Sequence, residues 1–434
     1  MKKILAVIIA CSSLATGAFA DCCVDKAAAP SVKIGGKFEF GGAGRMQDSL
    51  KNEQKGMSQN IDNAAFYSSA VLTADVSAES EDLGWKYGAS LGFSPLHSKA
   101  KPNPSYLYLE SLIGKFELGA GKTVMTQMSI TGWDTSCGIG DSWSIYYKGD
   151  PDDRGVYYME DFTNFLDFSH RKKGSVDFSR KISYITPKIH GFQAGVSYIP
   201  DTSNSGSDPI SSGHDVYRNP GIEDVYNQVK ADPTLASDAK RLDKIKDKDW
   251  NKINVTHGVS AAVKYEYDIT EEVKVAISLT GEYAKAKDSQ KTPDPLPAEQ
   301  KKADLLNWII GGKVSYNNLD LAGSYRNAGK SFTSEWQDGK EEDARQSYGY
   351  DVGVKYKFGN AAASLNYFHS NAKKSELNSF SIGADYALAP GLTPYVQAVK
   401  FGGVGKYKDL DDATVKDDKK ADGYLFIIGT RLKF

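Results

Sequence analysis

Leu83-Gly84-Trp85-Lys86-Tyr87-Gly88-Ala89-Ser90-Leu91-Gly92-Phe93 reads as two interleaved series. Leu83, Trp85, Tyr87, Ala89, Leu91 and Phe93 are apolar, while Gly84, Lys86, Gly88, Ser90 and Gly92 are small or cationic. Side chains of an extended strand alternate between two faces, so the stretch predicts a strand with one greasy and one wet side. The period recurs in Val32, Ile34, Phe38 and Phe40, set against Lys33, Gly35, Lys37 and Glu39. It returns in Val273, Val275, Ile277, Leu279 and Tyr283, and in Tyr350, Val352, Val354, Tyr356 and Phe358. At the C-terminus Tyr424, Phe426, Ile428, Leu432 and Phe434 share one face, opposed in the final half by Gly429, Arg431 and Lys433.

Candidate strands run from 31–46 to 421–434 and number about sixteen by this pattern. The gaps between them alternate in length. Short ones fall at Glu81-Asp82, Gly114, Lys188-Ile189, Thr270, Asn317-Asn318, Gly359-Asn360 and Ala389-Pro390. Long ones fall at 47–62, 124–175, 201–253, 287–303, 329–345 and 404–420, with 95–104 and 372–374 on the same side. Short turns on one side, long loops on the other and an even strand number predict an all-β, 16-stranded antiparallel transmembrane barrel over 31–434. Closure would also remove the edges that a long open sheet exposes. A soluble propeller would repeat in four-strand blades, and no such repeat is present. Gly, Ser and Lys on the inward face favour a water-filled lumen over a plugged one.

The chain opens with Met1-Lys2-Lys3, an apolar run Ile4–Ala10 and a small-residue tail ending Ala18-Phe19-Ala20. That layout predicts a secretory signal peptide over 1–20, then a periplasmic extension over 21–30. The apolar run is too short for a bilayer-spanning anchor. A lipoprotein site at Cys11 competes poorly, because small and apolar residues continue to a good Ala-x-Ala site. Cleavage would remove two lysines and no acid, leaving Cys22, Cys23 and Cys137 and turning a net charge of −2 into −4. With 53 Lys+Arg against 55 Asp+Glu, the chain lacks the basic excess of a nucleic-acid binder. None of the six histidines (His97, His170, His190, His214, His257, His369) sits in a catalytic motif, and no metal or cofactor motif occurs. No enzyme activity is expected.

Four stretches resemble the general porins of Gram-negative outer membranes, particularly the alphaproteobacterial trimeric type. They are Tyr106–Glu110 running into Ile113–Gly119, then Ser179–Pro187, then Gly191–Tyr198, and the terminal strand ending in Phe434. The first is similar to the strand–turn–strand before that family's constriction loop, and the next two to the hairpin after it. The family often places an Arg after the Gly at 119. Here Ala120 stands there and Lys122 is the nearest cation.

The resemblance implies a homotrimer in the outer membrane, passing small hydrophilic solutes and ions passively. It also implies a third extracellular loop, 124–175, folded into the lumen as a constriction, and Phe434 as the signal read by the barrel-assembly machinery. Outer-membrane lipid and lipopolysaccharide would be the surrounding partners. The loop's acids are Asp134, Asp141, Asp150, Asp152, Asp153, Glu160, Asp161 and Asp167, against five bases. Facing them, the expected wall bases are Lys33, Lys37, Arg45, Lys86, Lys181, Lys355, Lys357 and Arg431. The net-acidic loop predicts a mild cation preference. Trp85, Tyr87, Phe93, Trp308, Tyr316, Tyr356, Phe358, Tyr386 and Phe434 are the expected interfacial girdle. A barrel acting as an adhesin or structural protein, or a substrate-specific channel, is the alternative.

Overall fold

Alternation becomes two surfaces in the computed structural model, which describes residues 30–47, 64–80, 84–94, 104–142, 179–201, 254–287, 303–331, 347–372, 375–408 and 415–434. Sixteen strands lie among them. They are β1 Ser31–Gln47, β2 Ala64–Ser80, β3 Trp85–Phe93, β4 Ser105–Ser111, β5 Gly114–Ala120, β6 Arg180–Ile185, β7 Phe192–Asp201 and β8 Asn254–Asp268. There follow β9 Val273–Lys287, β10 Leu305–Tyr316, β11 Leu319–Gly329, β12 Ser347–Phe358, β13 Ala361–Ala372, β14 Ser375–Tyr386, β15 Leu392–Lys408 and β16 Val415–Lys433. Each pairs antiparallel with its sequence neighbours, and β1 pairs with β16, so the sheet closes into a barrel without a free edge.

The two faces separate cleanly. On β10, Leu306, Trp308 and Ile310 point outward and are exposed, while Leu305, Asn307 and Ile309 are buried inside. Outward residues elsewhere are equally bare, with Ile382 58% and Ile428 66% exposed. A belt of large exposed aliphatic side chains is untenable in water and ordinary in hydrocarbon. Inward positions are mostly serine, glycine or charged.

Two of the tight turns use left-handed backbone. Asn317 (φ 50) and Gly359 (φ 58) occupy the two-residue connections β10–β11 and β12–β13, where primed turns match the twist of the strands. One expected long loop shrinks. β15 and β16 continue pairing to Lys408↔Val415, so 404–420 is chiefly hairpin and only 409–414 lies outside the described residues. A hairpin that rises clear of hydrocarbon needs no apolar face, and the two-residue signal fades there although the strands persist. Residues 1–29, 143–178 and 202–253 also lie outside the described set, and with them the expected leader, nearly all of the expected N-terminal extension and most of two expected loops.

The closing seam is fixed on both surfaces. Inside, Tyr67, Gly41, Gly429 and Tyr395 form one row across β2, β1, β16 and β15. Outside, the Gly36 N–H donates to the Phe434 carbonyl at 2.9 Å and the Phe434 N–H returns to Gly36 at 3.2 Å. The Phe434 ring lies where a Cβ on Gly36 would sit, 2.9 Å from the ring edge.

Candidate pore constriction

After β5 the chain turns inward instead of leaving the barrel. Thr123 caps a short helix, α1 (Val124–Met128), and a 3-10 turn follows at Gly132–Thr135. A five-residue helix has almost no stability of its own. Its position is set by the wall. The Val124 N–H donates to Ser197 Oγ (3.1 Å), Met125 to Ser260 (3.1 Å) and Ile130 to Ser278 (2.9 Å). Further along, Cys137 donates to Ser364 Oγ (2.8 Å), Gly138 to Asp385 Oδ1 (2.8 Å) and Ile139 to Gln397 Oε1 (2.9 Å). Six backbone donors that water would otherwise have to satisfy are thus taken up by six wall side chains on β7, β8, β9, β13, β14 and β15.

Wall glycines make room for this course. A Cβ on Gly311 would overlap the Ile130 carbonyl, and one on Gly353 would overlap Thr135 and Gly132. On Gly383 it would lie 3.0 Å from the Cys137 carbonyl oxygen. Beyond them, Trp133 packs in a buried inner cluster with Phe368, Phe401, Leu425 and Ile427. The upper inward face of β13–β16 is therefore apolar, contrary to the small or polar lining expected from the other strands. Trp133 packs against it, its ring 6.4 Å from that of Phe368.

Ion pairs organise the wall. Glu39 is bridged by Lys37 (2.7 Å) and Arg431 (3.0 Å), and Arg431 also donates to the Gly138 carbonyl at 2.5 Å. Lys115 pairs with Glu117 (2.7 Å), whose other oxygen accepts from Gln127 of α1 (2.9 Å). Arg326 and Asp351 form a pair 2.9 Å apart with both side chains 1% exposed. Asp320 lies 3.5 Å from Lys313 and 3.6 Å from Lys357.

All eight expected wall bases occupy lumen-facing register positions. Lys33, Lys37 and Arg45 are on β1, Lys86 on β3, Lys181 on β6, Lys355 and Lys357 on β12, and Arg431 on β16. They do not form an unopposed ladder: Lys37, Lys357 and Arg431 are in ion pairs, and buried Lys181 donates to the Gly121 carbonyl. Of the expected acids, Asp134 is exposed to the lumen and its Oδ2 accepts the Thr131 N–H at 2.9 Å. Asp141 is half-buried. Asp150, Asp152, Asp153, Glu160, Asp161 and Asp167 lie outside the described residues. Enclosure within the lumen pushes the Asp134 carboxyl above the ordinary range, outweighing the opposing Thr131 N–H. Burial, reinforced by the charge of Asp385, pushes the Cys137 thiol up.

The nine expected girdle residues all stand exposed on the outer face. A chain of rings that sequence reading largely missed extends from one of them, Trp308, across β10–β14. Trp308 meets Tyr325 (5.5 Å), Tyr325 meets Tyr348 (6.4 Å), and His369 lies between Tyr348 (6.0 Å) and Tyr350 (4.9 Å). Tyr367 continues the chain to Phe380 at 6.2 Å. The six anchoring side chains were also missed, because a lumen serine that holds a loop looks like one that merely meets water.

A sequence model described as Gram-negative porin matches residues 5–403. The chain belongs to the Gram-negative porin family. An uncharacterized protein of Rickettsia conorii is 29% identical to this porin over 435 residues, covering 93% of this chain and 92% of the relative. One from Rickettsia bellii is 29% identical over 426 residues with the same coverage. Among solved structures, the anion-selective porin of Comamonas acidovorans superposes with a TM-score of 0.55 at 14% identity, over 93% of this chain and all of that one. The trimer form of OmpT, an outer-membrane protein of Vibrio cholerae, gives 0.51 at 12% identity over 93% and 99%. At such identities the likeness is one of fold. The porin's closed barrel is typical of non-enzymatic channels in the outer membrane.

Proposed function

We propose that this porin is a diffusion channel for small hydrophilic solutes and ions with a mild cation preference. The observation that carries the reading is the course of the constriction segment. It is bonded to the wall from β7 round to β16, which sets the polar faces of β2, β3 and β4 on the far side of the lumen. On β1–β4 the inward faces carry Glu39, Asp75, Glu79 and Glu110 against Lys33, Lys37, Arg45 and Lys86, so the wall there is balanced and the loop's own acids set the sign. Charges of one sign at a narrow point favour counter-ions.

The assembly follows the family: a homotrimer in the outer membrane among lipid and lipopolysaccharide, exported by a leader over 1–20 and inserted by the barrel-assembly machinery through Phe434. The outward aromatic residues serve as the interfacial girdle. Conductance of the purified protein in a planar bilayer tests the reading. Open-channel steps with a cation-sided reversal potential in a salt gradient are expected. Absence of steps overturns the channel, and an anion-sided potential overturns the selectivity.

A further inference from the structure

Beside α1, at the periplasmic end of the lumen, lies a cavity of about 440 Å³ lined by Glu110, Lys115, Gln127, Gln193, Thr186 and Lys188 among others. Its charges belong to an ordered row. Glu79 on β2 stands opposite Lys86 on β3, Lys86 opposite Glu110 on β4, and Glu110 opposite Lys115 on β5. Acid and base therefore alternate at the strand spacing of about 4.8 Å along the inner wall.

The two sides of the row are held differently. Lys115 is fixed: its ammonium donates to Glu117 at 2.7 Å and sits 5.2 Å and 5.9 Å from the ring centres of Tyr108 and Tyr106. An ammonium has three donors, so others remain for a ligand. Glu110 is exposed and makes no ion pair among the described residues. Gln127 spends its amide N–H groups on Glu117 and the Lys122 carbonyl, both at 2.9 Å, and Gln193 donates to the Thr186 carbonyl. Both amide oxygens thus stay open as acceptors. The cavity offers an anion for an ammonium, a rigid cation for a carboxylate and carbonyl acceptors for amide N–H groups between them.

We propose that this cavity is a transient subsite for zwitterionic solutes of amino-acid to dipeptide size. The idea rests on the channel reading above and names the solute class that the channel retains longest. A neutral solute of equal size gains nothing from the alternating row. A monovalent ion gains from one member and is opposed by the next.

The test uses the full-length purified barrel and glycylglycine, with neutral N-acetylglycinamide as the control. In single-channel recordings glycylglycine should interrupt the current with a saturating concentration dependence, and the capped control should not. Glu110→Gln should weaken that dependence at least fivefold. Lys115→Gln should do the same. Equal interruption by both probes, or an unchanged response in both variants, overturns the subsite. If no channel steps occur at all, the function reading falls by itself. Titration calorimetry of glycylglycine into the detergent-held barrel then decides the subsite, with fivefold weaker binding to the Glu110→Gln protein expected and equal binding overturning it.

Discussion

The hydroxyls of Tyr67 and Tyr395 meet 2.5 Å apart across the seam where the first and last strands close the barrel. Each ring lies over a glycine of the seam. A Cβ on Gly41 would stand 2.5 Å from the Tyr67 hydroxyl, and one on Gly429 would stand 2.6 Å from that of Tyr395. The guanidinium of Arg431 lies 5.1 Å from the Tyr395 ring centre, so the clasp is continuous with the Arg431–Glu39 pair and the Gly138 carbonyl. Tyr67→Phe and Tyr395→Phe should each lower unfolding stability by about 1 kcal/mol. The double variant should lose little more than either, since both remove one interaction. Urea titration of the folded barrel, followed by tryptophan fluorescence, measures all three.

Gly311→Ala should displace the constriction, because the new methyl group takes the place of the Ile130 carbonyl. The expected result is a larger unit conductance and a higher solute cut-off in liposome swelling. Ser278→Ala instead leaves the Ile130 N–H without its acceptor, at a cost of about 1–3 kcal/mol. That variant should show noisier current at a similar mean conductance.

Asp351→Asn should be the most damaging single change. It takes the Asp351 carboxylate away from the buried Arg326 guanidinium, for a loss of about 3–5 kcal/mol. Replacing both partners together, Arg326→Met with Asp351→Leu, should recover most of that loss in the same denaturation assay.

How much of this was legible beforehand differs between wall and lumen. Two-residue alternation located Trp85–Phe93 and its companions because a lipid-facing and a water-facing side chain differ in polarity at every step. It missed the upper inward face of β13–β16, since Leu425 and Ile427 are apolar on the side expected to be wet. They belong to the buried cluster that also holds Trp133, a loop residue nearly 300 positions away in sequence. Alternation assigns a wall base to a face of its strand but not to a partner, because Glu39 meets Arg431 only after the barrel has closed.

Mild acidification should reduce the cation preference. The Asp134 carboxyl is raised above its ordinary pKa, so as pH falls it takes up its proton before a carboxyl of ordinary pKa does, and the segment loses a negative charge. Reversal potentials across a fixed salt gradient should drift toward the anion side as pH is lowered. In Asp134→Asn the starting preference should be smaller and this early part of the drift absent.

Cys137 should be inert in the folded barrel. It is buried, and its thiol is harder to ionise than a free one, so little thiolate exists at neutral pH. In a protein with Cys11, Cys22 and Cys23 replaced by serine, maleimide should label Cys137 slowly before denaturation and rapidly after it.

The anchors of the constriction lie far downstream of the segment they hold: Ser364, Asp385 and Gln397 follow their partners by 227, 247 and 258 residues, and Arg431 follows Gly138 by 293. None of those sites exists until the last third of the chain has been threaded into the sheet. The narrow passage is therefore the final feature to form during biogenesis, and every barrel passes first through a wider stage whose bore is set by the cylinder alone.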